Sequence, residues 1–289
     1  MKTLRILALS LSGMLSSLAA TDYYVAKTGD DTNDGGSGKN AFATIQKGVD
    51  TLNPGDVLTI GPGEYPEAVS RKNLGSMDAD TIIRAEIPGT VLLRGDVPVE
   101  GFRKVDGHRF IYVTDFDRQP YAMAEVDTLR LMNEAIYPDE LEFLPGTYLY
   151  DADNRKLYIS SSDTQPPSSH VYRASLFPDH GINLEEPTRV VLDGLAATGF
   201  NFNEVISSTA AKRGIQLKYA SHCEVRRCVT YLNGGGIALV GPLERLRENF
   251  PNLGHNVVQD CVSFANYSRF NQEGGNITDY RAGPNDLLK

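Results

Sequence analysis

Apolar and polar positions change period along the chain. DYYVAK (22–27) alternates as a short strand, and GDDTNDGGSG (29–38) has the Gly and Asx density of a tight surface loop. Phe42, Ile45, Val49 and Leu52 then fall at helical spacing and form one apolar stripe. NPGD (53–56) stops that helix, VLTI (57–60) is a strand, and GPGEY turns out of it. A lone amphipathic helix ahead of a series of strands suits the end of a parallel β-helix, whose first coil otherwise exposes its core and strand edges.

A solenoid must repeat, and this chain does. Leu192, Val225 and Val258 are spaced by 33 residues, as are Leu195, Cys228 and Cys261. VLDGLAATGF, EVRRCVTYLN and VVQDCVSFAN share an apolar residue, a two-residue corner, a second inward residue and a further strand. Stacked coils would bring like residues about 4.8 Å apart, so Cys228 and Cys261 form an inward ladder and Asn233 and Asn266 stack at a corner. A period of 33 is long for one coil, so each is expected to hold a loop such as PLERLRENFPN (242–252). From Val97 to Phe177 the texture differs and has no such echo. RFIYVTDF and YAMAEVDTLRLMNEAIYP read as strands, PGTYLYDADNRKLYIS as a hairpin turning at Asp151 to Asn154, and QPPSSH as an exit loop.

The expected architecture is all-β: a right-handed parallel β-helix with a cap and first coil over 21–96, an inserted β-rich lobe over 97–177, and coils over 178–289 that continue beyond Lys289. Residues 1–20 read as a secretory signal, with Lys2 and Arg5 ahead of an apolar run from Ile6 to Leu18 and the small residues SSLAAT after it. No later segment is apolar enough to span a bilayer, so a secreted monomer is expected. Loss of Lys2 and Arg5 from the 28 basic residues leaves 26 against 37 acidic ones, a poor balance for nucleic acid. An odd cysteine count without a CxxC pair indicates no disulfide framework.

The opening motif is more specific than its periodicity. G-x-D-x-x-D-G (29–35), then F-A-T-I-Q-K-x-V (42–49), P-G-D-x-L-x-I (54–60) and G-x-Y (63–65), resembles the N-terminal signature of secreted right-handed, pectate-lyase-like β-helix proteins. Many of these are polysaccharide lyases or glycosidases, several with a β-rich insertion, and some are non-catalytic. NVVQDCVSFANYSRFNQEGGNITDYRAGP (256–284) resembles a segment of polysaccharide lyase family nine. That resemblance implies Asp279 as a calcium ligand, although Ser268 and Tyr280 stand where the family has Asp and Gly. The family's remaining acidic cluster and its basic lysine would fall beyond Lys289.

Candidate chemistry follows from these assignments. Asp30, Asp31 and Asp34 offer oxygens suited to Ca²⁺, but with Asn33 and Asp34 adjacent they depart from the calcium-loop spacing, and an Asx-rich turn is the alternative. A calcium-dependent lyase acting on a uronate polysaccharide is the favoured activity, since the metal would neutralise the sugar carboxylate while a base takes the C5 proton. Arg226, Arg227 and Lys218 are the substrate-binding candidates, with Lys212 and Arg213 nearby. A glycoside hydrolase is the alternative and would need two carboxylates about 5 to 9.5 Å apart, for which Asp193 and Asp260 on neighbouring coils are the pair to examine. A non-catalytic glycan-binding protein is the third reading. With no Trp among the aromatics, sugar stacking falls to Tyr, including Tyr219 and Tyr231. His108, His170, His180, His222 and His255 fit no metal motif and read as surface or corner residues. No nucleophile elbow, phosphate loop or dinucleotide fingerprint is present.

Overall fold

The computed structural model describes residues 20–201, 212–266, 276–280, 283 and 285–289. Three parallel sheets run along it, and each of five turns contributes one strand to each, with Asp22–Val25 and Leu287–Leu288 added at the two ends of the first. The first sheet stacks Asp22–Val25, Val57–Ile60, Thr81–Ala85, Val190–Asp193, Glu224–Arg226, Val257–Gln259 and Leu287–Leu288. The second stacks Gly63–Tyr65, Val91–Arg94, Leu195–Thr198, Val229–Tyr231 and Val262–Phe264. The third stacks Val69–Lys72, Ile182–Glu185, Arg213–Lys218, Gly235–Val240 and Ile277–Tyr280. Inward residues of all three sheets form one core in which Leu58, Leu93, Leu184, Leu192, Ile215 and Leu239 are fully buried.

The corners explain how so short a turn closes. Gly194, Arg227 and Asp260 occupy one corner on successive turns with φ of 72°, 52° and 54°, so a single left-handed residue re-aims the chain from the first sheet to the second. Only the glycine meets a second constraint there: a Cβ at Gly194 would lie 2.8 Å from Pro88 Cα. Leu232 and Ala265 serve the next corner, and Arg189, His222 and His255 the third, all with positive φ.

The 33-residue period has an unexpected origin. In one turn the extra residues lie at 199–212, between the second and third sheets; in the next, that corner is closed by 232–234 and the excess lies at 241–256, between the third sheet and the first. PLERLRENFPN belongs to the latter. Where neither loop intervenes, Ile215 pairs with Ile237, only 22 positions later. The equal periods therefore come from different insertions.

Inward polar residues are paired along the stack. Asn233 Nδ2 donates to the Ala197 carbonyl (3.0 Å) and its Oδ1 accepts from Phe200 N (3.0 Å), while Asn266 does the same to Thr230 O and Asn233 N (both 3.1 Å). Asn256 repeats the device at another corner, serving Cys223 N and Ala220 O. Each amide supplies the partners that a buried bend of backbone lacks. Cys223, Cys228 and Cys261 are all free; the first two are buried and Cys261 packs beside them at the edge of the core. Burial pushes the Cys223 thiol up to about 12.

At one end of the stack lies helix α1 (Ile45–Thr51), with Ile45 and Val49 buried against the core. Its first turn is held by three oxygens: Thr44 Oγ1 accepts from Lys47 N, and Glu67 accepts from Ile45 N and Gln46 N. Burial pushes the Glu67 carboxyl up, against those backbone donors. Between Arg94 and Ile182 the chain leaves the stack and builds two further sheets, one joining Asp96–Val99, Tyr172–Ser175, Ala122–Glu125 and Arg130–Leu131 in antiparallel pairs. The other contains the hairpin Thr147–Asp151/Lys156–Ser160, whose turn is fixed by Asp151 accepting from Asn154 N. Met123, Tyr148, Leu157, Ile159 and Tyr172 form a core of their own there. Among the described residues no helix is long and apolar enough to cross a membrane.

Replacing Asn233 with the near-isosteric Leu should leave Phe200 N and the Ala197 carbonyl unpaired inside the stack and cost about 2–4 kcal/mol, measured by urea denaturation. An unchanged midpoint would refute the pairing. In the native state Cys223 and Cys228 should resist thiol reagents, and mass spectrometry should find both unbridged.

Candidate functional site

Outward residues of the first sheet form rows, because side chains two apart on one strand repeat on the strands beside it. One such row runs Thr59, Arg84, Asp193, Arg226, Gln259. Arg227, at the left-handed corner next to Arg226, turns its guanidinium back onto the same row. Asp193 sits at the centre with its side chain 5% exposed, accepting from Arg226 Nε at 2.9 Å and from Arg227 Nε and Nη2 at 2.8 and 2.6 Å. Burial pushes its carboxyl up, but the bonds from Arg227 and Arg226 prevail and hold it below the usual carboxylate range. Glu224 takes Arg226 Nη1 and Gln259 Nε2 on its two oxygens.

Thr59, Arg84, Glu86, Asp193, Arg226 and Arg227 line a cavity of about 420 Å³. Three guanidiniums and two carboxylates share that wall. Arg84 donates from Nε to the Thr59 hydroxyl at 3.1 Å and forms no ion pair with a described residue. Among the described residues it is the guanidinium of the cavity with no carboxylate within ion-pair distance, and an anion is what it can accept.

The other nominated residues lie elsewhere. Lys218 is on the outer face of the third sheet, 3.3 Å from Glu185 Oε1 and over the Tyr219 ring. Tyr231 is on the second sheet, stacked on Phe264 with centroids 5.4 Å apart. Arg226 and Arg227 are thus brought together, and Lys218 and Tyr231 are not brought to them. Asp193 and Asp260 are not on neighbouring coils: Asp193 pairs with Arg226 and Arg226 with Gln259, so two arginines and two strand spacings separate the carboxylates. Asp193, held ionised by those arginines, is also unsuited to donate a proton.

In the opening loop the carboxylates are occupied by the chain itself. Asp30 accepts from Thr32 N, Asp34 from Gly36 N, and Asp31 from Ala43 N, Thr44 N and the Thr44 hydroxyl. Asp279 lies in the strand Ile277–Tyr280, its backbone paired with Leu239, and its side chain is outside the described residues. Among the described residues no three His, Cys, Asp or Glu side chains are grouped to hold a metal.

Two histidines depart from the surface reading. His180 is half-buried beside Arg213, whose N donates to its Nδ1, and desolvation pushes it down to about 3. His170 lies between carboxylates, 8% exposed. The exposed aromatic rings were also missed: among the described residues they are Tyr137 (66%), ahead of helix α2 (Glu140–Phe143), and Phe143 (77%), its last residue, whereas Tyr219 and Tyr231 are half-buried by ring contacts. Neither periodicity nor composition marks a ring that projects from an irregular segment.

No protein-family model and no curated protein matches this sequence. Solved structures do. A structure described as XylC in complex with xylose superposes with a TM-score of 0.66 at 11% identity, covering 93% of this chain and 52% of its own. This chain is a parallel β-helix. A second structure, described as a glycoside hydrolase, gives a TM-score of 0.56 at 11% identity over 84% of this chain and 66% of its own. Pectate lyase Pel9A gives 0.48 at 13% identity, covering 94% and 47%. The chain spans about half the length of XylC, and at these identities the likeness is one of fold.

Asp193 should contribute to acid stability. Its folded pKa is depressed, so its contribution is present above the unfolded value of about 4 and lost as pH falls through the folded one. In Asp193→Asn, acid titration followed by circular dichroism should therefore show a shallower loss of stability below pH ~4. An unaltered acid limb would exclude the Asp193 ion pairs as contributors.

Proposed function

We propose that this protein is a carbohydrate-active β-helix protein that binds a uronate-bearing polysaccharide at the arginine cavity on its first sheet. The observation that carries the reading is Arg84, a guanidinium with no carboxylate in ion-pair reach among the described residues, in a cavity that holds two more. A sugar carboxylate can accept two parallel N–H bonds from such a group, a geometry that a neutral sugar cannot offer. The protein carries a formal charge of −9, so an acidic polymer is repelled at long range and must be recognised locally.

Elimination at such a site would need charge neutralisation and a base. The arginines supply the first; of the two wall carboxylates Asp193 is engaged by Arg226 and Arg227, which leaves Glu86 for the second. Calcium-assisted elimination through Asp279 is the corresponding reading of the C-terminal segment and depends on ligands outside the described residues. A second reading, hydrolysis of a neutral glycan, is favoured by the two solved structures with TM-scores above 0.5, one of which is a complex with xylose.

Oligogalacturonate and xylo-oligosaccharide titrated calorimetrically separate these readings. Oligogalacturonate should bind, Arg84→Gln should weaken it about tenfold or more, and added salt should weaken it further. Asp193→Asn, which removes a negative charge from the wall, should strengthen it. Preference for the xylo-oligosaccharide with no effect of Arg84→Gln would overturn the uronate assignment in favour of the neutral one. Ultraviolet absorbance of an unsaturated product would identify elimination, and new reducing ends without it hydrolysis.

A further inference from the structure

His170 belongs to neither the cavity nor the stack. It ends the 161–171 connection between Lys156–Ser160 and Tyr172–Ser175, a strap across one side of the insertion. Its Nδ1 lies 2.8 Å from Asp127 Oδ2 and its Nε2 3.0 Å from Asp163 Oδ1. A neutral imidazole has one N–H and one lone pair, so it cannot donate to both carboxylates; the imidazolium can. The fully buried Glu125 adds a third carboxylate, with Oε1 3.8 Å from Nδ1. Glu125 also anchors the strap by accepting from Ser162 N, the Ser162 and Thr128 hydroxyls and the Tyr172 hydroxyl. Asp127 Oδ1 closes the other end through Val171 N at 2.8 Å.

We propose that His170 is a protonation-dependent latch that holds residues 161–171 against the rest of the insertion and releases them when its proton is lost. Asp127 approaches from the turn after Ala122–Glu125, Asp163 from the strap and Glu125 from the strand; Glu100 lines the same cavity, and the Tyr172 ring packs edge-on without charge. One cation is therefore set among three nearby anions. Removing its proton leaves a lone pair facing a carboxylate oxygen and nothing to offset the repulsion among the acids. The strap forms a wall of a cavity of about 230 Å³, where Pro167, Ser168 and His170 face Phe102 and Tyr172. Release opens that wall.

The direction with pH is fixed by the partners. Burial alone would lower the affinity of His170 for its proton, but the bonds to Asp127 and Asp163 prevail and raise it. A raised folded pKa means that the stabilisation is complete below the unfolded histidine value of about 6.5 and lost as pH rises through the folded value. The latch is therefore closed below the ordinary histidine value and opens as pH rises through the raised one.

The test is an NMR titration of the histidine side chains in the whole protein, combined with hydrogen exchange of amides 163–170 expressed as protection relative to intrinsic exchange. His170 should titrate above the ordinary histidine value, and strap protection should fall about tenfold or more across that same titration. In His170→Gln, which has an uncharged amide, protection should be low and flat with pH. Asp163→Asn should lower the pH at which the wild-type transition occurs. Titration of His170 at or below the ordinary value, or strap protection that does not change as it titrates, would overturn the proposal. Should His170→Gln fail to fold, the wild-type titration and exchange decide between these outcomes.

Discussion

In a stack of parallel coils, every residue has its own counterpart about 4.8 Å above and below it, so each inward position must tolerate its neighbour on the next turn. Apolar columns meet this requirement without direction: Ile83, Leu192, Val225 and Val258 differ in shape but fill one continuous space. Polar columns meet it only if donors and acceptors alternate along the axis. An amide does so, since one end accepts from the turn on one side while the other donates back, which is why Asn233 and Asn266 can be buried at a corner.

The same constraint decides where variation can enter. A strand cannot be lengthened without shifting every pair beside it, but a corner can be opened, provided the chain returns to the same place. The insertion between Arg94 and Ile182, and the segments at 199–212 and 241–256, all leave from corners, and the strands on either side keep their pairing. On the outer face the constraint is relaxed and chemistry appears. Asp193, Arg226 and Arg227 are held together because successive coils place them in reach, although they are 33 and 34 residues apart in the chain.

Much of the stack could be read from the sequence because inward positions are repeated and their neighbours are predictable: Leu192, Val225 and Val258 do lie in one column, and Asn233 and Asn266 do stack. Arg226 and Arg227 were recognisable as a basic pair, yet their neutralisation by Asp193 was not, since it depends on a left-handed backbone at Arg227 that its side chain gives no reason to expect. Arg84 escaped notice because it lies in a turn that is separated from its spatial neighbour by the insertion. His170 was hidden for another reason. Its partners at positions 125, 127 and 163 are joined by an irregular connection with no period to project.

The two unlike insertions that yield equal periods bear on how such chains are compared. A fixed 33-residue frame, correct for Val225 and Val258, carried forward from Ile215 lands on Glu248 in the 241–256 loop, while the true partner is Ile237. An alignment that maximises self-similarity would therefore be right along two faces of the prism and wrong along the third from Ile215 onward. Ancestral duplications inferred from such a frame would place their boundaries inside a loop, and only a comparison that lets each face keep its own spacing would recover the unit that was copied.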